Sequence, residues 1–447
     1  MRRIAIVGSG QAGLLAAHGL LQAGYDVELY SDRPAAGWLE QARPTGTAVR
    51  FARSLAYERT LGLDHWHHAA PSMDGLNVTV YSHPAKPVLS LNGRFPVSPL
   101  AIDVRLQSAR WMNDFENAGG RLIIENVSGL RIDELSRKND LTIVATGKDG
   151  GAFFARDAAR SPRAAPLRQL AMVNCEGPSM RFADVPFSCA KFNVFEGLGE
   201  SYWTPYFHKD GEQIWNLVFE AKPGTSYDRF QSARSGHDVL RIGKEIIREM
   251  MPWDYAWIEN ATLADENSWL VGAITPVVRD PVAKTASGRP IVPLGDAYLS
   301  FDPLGAQGAN MGNRLAESLV ASVVKRKDGA FDPDWIRETY DAFYTRWGAP
   351  AMRWTELLLS PMGPAARYFF LAQLGADGST VGGTSRQRLA DAFANNFDDP
   401  AELVDTLSDF GRTRRWVSNV MGTGSDWKVA KGLFAVGSRQ LRNALST

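Results

Sequence analysis

The sequence has few cysteines, no surplus charge of either sign and no long apolar run. Its only cysteines, Cys175 and Cys189, exclude a disulfide framework and a cysteine-rich metal site. Lysine plus arginine equals aspartate plus glutamate at 49 each, so the charge favours neither nucleic acid nor an anionic membrane as a partner. The chain opens on an apolar strand pattern rather than a signal peptide, and no apolar stretch could span a bilayer. We therefore expect a cytoplasmic protein.

The sequence does contain a nucleotide-binding pattern, close to its first residues. Residues 3–7 and 26–30 are strand-like apolar runs, and a glycine turn and an apolar helical segment lie between them. Gly8 permits the tight turn after the strand, Gly10 lets a pyrophosphate approach the backbone, and Gly13 allows close helix packing. The helix N-terminus adds free N–H groups and partial positive charge. This pattern predicts a nucleotide cofactor.

Further along the chain, the pattern predicts a sheet, a return to the nucleotide-binding unit, and a helical tail. We expect a hairpin with its turn at Asn92-Gly93 and a helix over Ile102–Ala118. Antiparallel strands that include Met180–Val185 should follow, with more strands over 256–278. The predicted fold is α/β, with a discontinuous cofactor domain (1–60, 101–160 and 290–328), an inserted β-rich substrate domain (61–100 and 161–289) and a helical C-terminal region (329–447).

Two polar positions near the glycine turn are candidates for cofactor contact. An acid at the end of the second strand usually binds the ribose hydroxyls. Here that position falls on Ser31, and the acid Asp32 comes one residue later. Arg105, at the start of the helix near 102, is placed to reach toward the cofactor from outside the turn.

Two later segments point to a flavin. The strand over 140–147 ends in small residues, which let backbone approach a flat ligand. Asp296 could accept hydrogen bonds from a ribitol chain. The glycine-rich loop over 302–312 then enters a helix, whose N–H groups suit the negative charge of a reduced isoalloxazine.

Together these segments resemble flavoprotein monooxygenases of the glutathione-reductase-like FAD fold, and within them the oxygenase component of styrene and indole monooxygenases. The loop that begins Asp302-Pro303 and the triplet Arg353-Trp354-Thr355 are the specific parts. The resemblance implies a cofactor site made of Gly8, Gly10, Gln11, Ala12, Gly13, Ser31, Asp32, Arg33, Arg43, Arg105, Thr146, Gly147, Gly295, Asp296, Pro303, Gly305, Gly308, Ala309 and Asn310.

The resemblance also implies a two-component reaction. A separate NADH-dependent flavin reductase supplies FADH2, which reacts with O2 to give a flavin C4a-hydroperoxide that epoxidises an apolar aromatic substrate such as indole or styrene. The flavin does the chemistry, so no side chain is nominated as catalytic. No metal is expected, because the cluster over 65–68 offers histidines at unsuitable spacing in a polar loop. Nucleic acid and membrane are not expected partners, and a homodimer is left open.

The segment after the second strand departs from the family pattern. The resemblance places Thr45, Gly46, Thr47, Ala48, Arg50 and Pro303 on the substrate side of the flavin. Styrene-type members typically have Asn, Val and His where this chain has Gly46, Ala48 and Arg50. Gly46 and Ala48 would enlarge the cavity, and Arg50 could add charge to it or point to solvent. We therefore expect a substrate larger than styrene, such as a substituted indole.

Three alternatives remain at this stage. A single-component NAD(P)H-dependent hydroxylase would carry an Asp-Gly motif directly after the small residues, but Asp149-Gly150 comes two residues late. A flavin carrier without chemistry is disfavoured by the aromatic segment over 202–207, which suggests a substrate pocket. A geranylgeranyl-type reductase would have the same fold, but the C-terminal region of this sequence resembles the oxygenase instead.

Overall fold

The computed structural model describes residues 2–83, 85–376, 384–422 and 424–445. The strands are β1 (Arg3–Val7), β2 (Asp26–Ser31), β3 (Val49–Arg50), β4 (Gly75–His83), β5 (Lys86–Arg94), β6 (Leu100–Ala101), β7 (Arg121–Ile124), β8 (Leu141–Val144), β9 (Gln169–Glu176), β10 (Cys189–Phe195), β11 (Gly199–Phe207), β12 (Gln213–Ala221), β13 (Thr262–Leu263), β14 (Trp269–Gly272), β15 (Val277–Val278), β16 (Ala283–Lys284), β17 (Pro290–Pro293) and β18 (Leu299–Ser300). The helices are α1 (Gln11–Gln22), α2 (Ala35–Glu40), α3 (Ala52–Thr60), α4 (Val104–Asn117), α5 (Gly129–Lys138), α6 (Gly147–Gly150), α7 (Gly236–Met250), α8 (Pro252–Ile258), α9 (Gly308–Arg326), α10 (Pro333–Phe343), α11 (Ala349–Leu359), α12 (Pro364–Gly375), α13 (Ser385–Asn395), α14 (Val404–Leu407), α15 (Phe410–Met421) and α16 (Ser425–Leu445).

The first sheet is mainly parallel and carries the glycine turn at its centre. Its strand order is β16-β17-β8-β1-β2-β7, with only the β16–β17 pair antiparallel. Strand β1 is buried from Ile4 to Val7, because helices α1 and α9 and the helix α5 cover the sheet. The carboxyl ends of β1, β2, β8 and β17 therefore meet at one edge, where open α/β sheets bind their ligands.

The second sheet is large and mixed rather than wholly antiparallel. Its order is β13-β9-β12-β11-β10-β4-β5, with β14 also paired to β9. Strand β10 runs parallel to β4, with Phe192 opposite Val78, while the other pairs are antiparallel. The inserted β-sheet was expected to be antiparallel, and the β4–β10 junction corrects this. The parallel pairing arises because β4 and β10 are joined through the first sheet rather than by a hairpin.

Several of the predicted local structures differ from the observed ones. Asn92-Gly93 lies inside β5, opposite Asn77 and Leu76, and the hairpin instead turns between His83 and Lys86. The glycine serves close packing, since a Cβ at Gly93 would lie 2.3 Å from the carbonyl oxygen of Ala390 in α13.

The segment Met180–Val185 was predicted as a strand and is irregular. Its apolar side chains pack without pairing, since Phe182 lies against Trp215 and Trp257 at ring-centroid distances of 5.1 and 4.7 Å. The region 256–278 was predicted as strands throughout, yet it begins with the last residues of helix α8. The helix predicted from Ile102 begins at Val104, because the Asp103 side chain accepts a hydrogen bond from the backbone N–H of Arg105 and caps it.

The remaining C-terminal chain is helical, as expected, and packs on the second sheet. Helix α13 lies on β5, and α12 lies between α13 and α16. Their apolar faces form one core with the sheet, which includes Trp354, Phe369 and Phe393. Across the described ranges, no helix combines the length and apolar character that a membrane span requires.

Candidate functional site

A single cavity of about 690 Å³ runs from the edge of the first sheet to the face of the second. Its size falls within the usual range for ligand and cofactor sites. At one end it is lined by backbone and polar groups, and at the other by apolar side chains. Of the residues predicted to contact cofactor, those on its surface are Gly8, Gly10, Gln11, Ala12, Asp32, Arg33, Thr146, Gly147, Gly295, Asp296, Pro303, Gly308 and Ala309.

The glycine turn after β1 has the geometry that a bound pyrophosphate needs. Gly13 permits close packing of α1, since a Cβ there would lie 2.0 Å from the Gly8 carbonyl oxygen. Gly8 itself has φ +117° and lies against the Ala145 backbone. Gly10 differs, because a Cβ built there meets no atom within 4 Å. The turn is therefore closed on the protein side and open on the cavity side.

The end of β2 places a charged pair at the rim of the cavity. Asp32 and Arg33 form a two-bond ion pair, with Nε–Oδ1 at 3.0 Å and Nη2–Oδ2 at 2.6 Å, and both line the cavity. Ser31 is buried instead, and its Oγ hydrogen-bonds to Ser9 Oγ at 2.6 Å and donates to the Arg33 carbonyl at 2.6 Å. Ser31 thus shapes the turn from behind, while the carboxylate exposed to the cavity is that of Asp32.

A half-buried acid lies opposite the glycine turn. Asp296 follows β17 and lines the cavity beside Gly147. Burial raises the pKa of its carboxyl, and Lys148 and Arg279 oppose this shift. Arg279 also donates to the Asp296 carbonyl oxygen at 3.0 Å, which fixes the backbone of the turn. A carboxyl that lines a cavity can accept hydrogen bonds from ligand hydroxyls.

The glycine-rich loop before α9 is held by residues from distant parts of the chain. Gly305 is required by a close contact, because a Cβ there would lie 2.4 Å from Thr355 Oγ1 in the Arg-Trp-Thr triplet. Asn310 is buried, with its Nδ2 donating to the carbonyls of Val49 and Ala306, each at 2.8 Å. These two residues therefore support the loop from inside, whereas Gly308 faces the cavity with open space.

Two of the arginines predicted to contact cofactor lie elsewhere. Arg43 is exposed, and its guanidinium stacks on the Trp269 ring at 4.2 Å. Arg105 is fully buried and binds two carboxylates, with Nη2 at 2.7 Å from Asp103 Oδ2 and at 2.8 Å from Asp265 Oδ2. Burial alone would raise the pKa of Asp265, but hydrogen bonds from His208 and Arg105 hold it well below its usual range. The structure brings neither guanidinium to the cavity lining.

The segment predicted to face the substrate forms one wall of the cavity. Thr45, Gly46, Thr47 and Ala48 line it, whereas Arg50 turns inward and is 1% exposed. Arg50 was expected to charge the cavity or point to solvent, and it does neither, because its Nε lies 2.6 Å from Glu58 Oε1.

The apolar end of the cavity is built from residues that the sequence patterns mostly did not single out. Tyr202 was anticipated within the aromatic segment, and its ring stacks on Phe192 at 4.8 Å. Its neighbour Trp203 points away into the core, because alternate residues of a strand face opposite sides. The other apolar side chains lining this end include Phe51, Met73, Leu76, Phe95, Ala190, Phe301, Ala306 and Phe397. They come from six separated segments, so no local pattern could have grouped them.

A cluster of buried carboxyls lies behind the apolar end. Tyr202 Oη donates to Glu220 Oε1 at 3.0 Å, and Arg168 binds Glu200 through two hydrogen bonds of 2.7 and 2.9 Å. Burial and the neighbouring Asp302 raise the pKa of Glu220 well above its usual range, which favours the protonated form of Glu220.

The histidine cluster does not gather metal ligands. His65 Nε2 lies 2.7 Å from Asp114 Oδ2, and the rings of His67 and His68 contact each other at 4.8 Å. Within the part of the chain that the structure describes, no group of three or more histidine, cysteine, aspartate or glutamate side chains could hold a metal ion.

Comparison with known proteins agrees with this geometry. Residues 147–256 match the family described as "Styrene monooxygenase A putative substrate binding domain". Styrene monooxygenase StyA of Pseudomonas fluorescens is 28% identical over 432 residues, covering 94% of this chain and 99% of the relative. A second StyA, from Pseudomonas sp, is 28% identical over 437 residues with the same coverage of 94% and 99%. The chain is therefore similar to styrene monooxygenases over nearly its whole length.

Two solved structures share the fold of this chain. The flavin-dependent brominase Bmp2 superposes with a TM-score of 0.61 at 13% identity, covering 94% of this chain and 98% of that one. A structure of 2-methyl-3-hydroxypyridine-5-carboxylic acid oxygenase gives a TM-score of 0.55 at 17% identity, with 80% and 90% covered. The α/β fold with a helical C-terminus is thus shared with flavin-dependent oxygenases and halogenases.

Proposed function

We propose that this protein is a two-component, FAD-dependent monooxygenase that oxygenates an apolar aromatic substrate. The observation that carries the proposal is one continuous cavity, in which the glycine turn and Asp296 lie at one end and aromatic side chains at the other. Similarity to styrene monooxygenases over nearly the whole chain supports a flavin cofactor and monooxygenase chemistry.

The residues at the polar end suit FAD in the extended form used by glutathione-reductase-like domains. The open side of Gly10 would admit the pyrophosphate. Asp32 would accept hydrogen bonds from the ribose hydroxyls, and Asp296 would accept them from the ribitol. The N-terminus of α9 at Gly308 would place N–H groups near the isoalloxazine. When bound as reduced flavin, the cofactor would supply the oxygen-transferring hydroperoxide.

The protein's part in this reaction is to position the substrate and exclude water. The charged groups that line the cavity, Asp32, Arg33, Glu125, Asp149 and Asp296, lie toward the cofactor end. The polar side chains at the apolar end are few, and the Tyr202 hydroxyl already donates a hydrogen bond to Glu220. A dry, apolar wall would keep water away from the reacting centre and orient an aromatic ring by shape.

The domain division fits this role. We propose that residues 1–60, 101–160 and 290–328 hold the cofactor, that 61–100 and 161–289 supply the substrate wall, and that 329–447 close the apolar end through Phe397. We also propose a separate NADH-dependent flavin reductase as the source of FADH2, because the Asp-Gly motif of self-reducing hydroxylases is displaced in this chain. The open space at Gly46 favours a substrate larger than styrene, such as an indole.

The reaction is tested by supplying NADH, FAD and either indole or styrene, with and without a generic flavin reductase. We expect oxygenated product only when the reductase is present, and more from indole-sized or larger substrates than from styrene. NADH consumption by the protein alone would favour the single-component hydroxylase. Flavin binding without any product would favour a carrier.

The cofactor end is tested by Gly10→Val, with Gly272→Val as its control. A Cβ at either position meets no atom within 4 Å, and neither glycine has a positive φ, so we expect both variants to fold. At Gly10 the added methyl groups would fill the phosphate path. We expect at least a tenfold weaker Kd for FAD, about 1.4 kcal/mol, in fluorescence titration. Equal affinity of the two variants would refute the assignment of the glycine turn.

A further inference from the structure

The cavity wall is connected to the cofactor end by a buried chain of polar side chains. Arg50 Nη1 donates to the Ala48 carbonyl at 2.9 Å, and Arg50 Nε lies 2.6 Å from Glu58 Oε1. Glu58 Oε1 also accepts from Asn313 Nδ2 at 2.9 Å. Asn313 Oδ1 in turn accepts from Gln11 Nε2, which also donates to the Ala309 carbonyl at 3.3 Å.

The two ends of this chain lie on the two halves of the cavity. Gln11 and Ala309 line the end proposed for the cofactor, and Ala48 lines the wall proposed for the substrate. The three residues between them do not line the cavity, and Arg50, Glu58 and Asn313 are each no more than 2% exposed. The chain therefore runs through protein rather than along the surface.

The backbone of the cavity wall is strained at Ala48, the residue that this chain of polar side chains supports. Ala48 has φ +51°, in the left-handed region that costs a non-glycine residue free energy. The Arg50 hydrogen bond to its carbonyl helps to hold it there. Asn310 fixes the flanking backbone, since it donates to the Val49 carbonyl and accepts from the Phe51 N–H at 3.0 Å. Releasing Arg50 would thus let Ala48 relax while its neighbours stay in place.

The charges along the chain make its members interdependent. Burial raises the pKa of Glu58, and Arg50 and Asn313 oppose that shift. If the guanidinium is removed, the buried carboxylate loses its only cationic partner among the described contacts, so a change at one member is transmitted to the next.

We propose that the Gln11–Asn313–Glu58–Arg50 chain couples flavin binding to the shape of the substrate wall, with Arg50 as the positioning residue for Ala48. This inference rests on the proposed function of the two ends. A flavin that contacts Gln11 fixes Asn313 and Glu58, and through Arg50 it fixes the wall against which an aromatic substrate packs. Because such coupling is reciprocal, an aromatic ligand must also tighten flavin binding.

The test compares the Kd for oxidised FAD with and without saturating indole, by fluorescence titration. In the wild type we expect indole to lower the Kd about fivefold or more. In Glu58→Gln and in Arg50→Lys the ratio should fall to about one. Arg50→Lys keeps the positive charge beside Glu58 but loses the forked geometry that reaches the Ala48 carbonyl. Its thermal melting should therefore stay near that of the wild type.

The control is Arg59→Met, on the same helix as Glu58, which breaks an exposed ion pair with Asp64. With chemically reduced FAD and no reductase, Arg50→Lys should raise KM for indole more than it lowers kcat, whereas loss of folded protein would lower kcat alone. Unchanged coupling in both buried variants, equal loss in Arg59→Met, or no coupling in the wild type would each overturn the inference. A wild type that binds no FAD would instead refute the proposed function.

Discussion

Replacing Arg105 by methionine separates a structural role from a cofactor role at one position. Arg105 is fully buried between Asp103, which is also fully buried, and Asp265, which is 17% exposed. Methionine fills much of the volume but leaves both carboxylates without their cation. Breaking a buried ion pair from one side costs about 3–5 kcal/mol, so we expect a loss of that size in the free energy of unfolding at pH 7.

The loss should depend on pH in a defined direction. The pKa of Asp265 is held below its unfolded value, so the stability contributed by its ionised form is present above about pH 4 and declines as the pH falls. Urea denaturation of wild type and Arg105→Met should therefore converge toward acid pH. The control is Arg229→Met, which removes an exposed two-bond pair with Glu249 and should cost about 1 kcal/mol or less.

The same variant tests the sequence-based expectation that Arg105 contacts the cofactor. Because the guanidinium does not line the cavity, the folded Arg105→Met protein should bind FAD within about twofold of the wild type. The reasoning fails if Arg105→Met is as stable as Arg229→Met and has lost flavin affinity. That result would mean that the arginine leaves its carboxylates to bind the cofactor.

Three further predictions concern stability and reactivity. Gly305→Ala should lower the melting temperature through its clash with Thr355 Oγ1, and Thr355→Ala in the same chain should restore part of it. Cys175 and Cys189 are buried, with thiol pKa values raised to about 12, so a thiol reagent should label neither in the native protein and both after denaturation. Because the pKa of Glu220 is raised in the folded state, its contribution to stability is complete below the unfolded pKa of about 4.3 and is lost as the pH rises. The melting temperature should therefore decline less steeply from pH 6 to 9 in Glu220→Gln than in the wild type, and an identical slope would contradict the raised pKa.

Local patterns predicted the parts of the site whose chemistry is contiguous in sequence. The glycine turn, Asp32, Asp296 and the loop at Gly308 all reach the cavity, because each follows directly on a strand end or precedes a helix. The same patterns could not distinguish Arg105 from a ligand contact, since its second partner, Asp265, is 160 residues away.

A glycine in the sequence predicted the local structure correctly only where the residues that contact it in the fold could be inferred. Asn92-Gly93 resembled a hairpin turn, yet Gly93 is needed for the approach of α13 to β5. Likewise, the position of Arg50 in the segment over 45–50 suggested that its side chain could face the cavity. The ion pair with buried Glu58 instead directs this side chain into the protein. The apolar wall could not be predicted, because it depends on how separate strands and helices pack.

The cavity draws on both ends of the chain, and this has a consequence for biosynthesis. Its polar end begins at Gly8, while Phe397 lines the apolar end and its carbonyl accepts a hydrogen bond from Gln307 Nε2 at 3.0 Å. The central strand β1 also pairs with β8, which follows it by more than a hundred residues in the sequence. A growing chain on the ribosome can therefore assemble the glycine turn early, but it can close the cavity only once the segment that carries Phe397 has emerged.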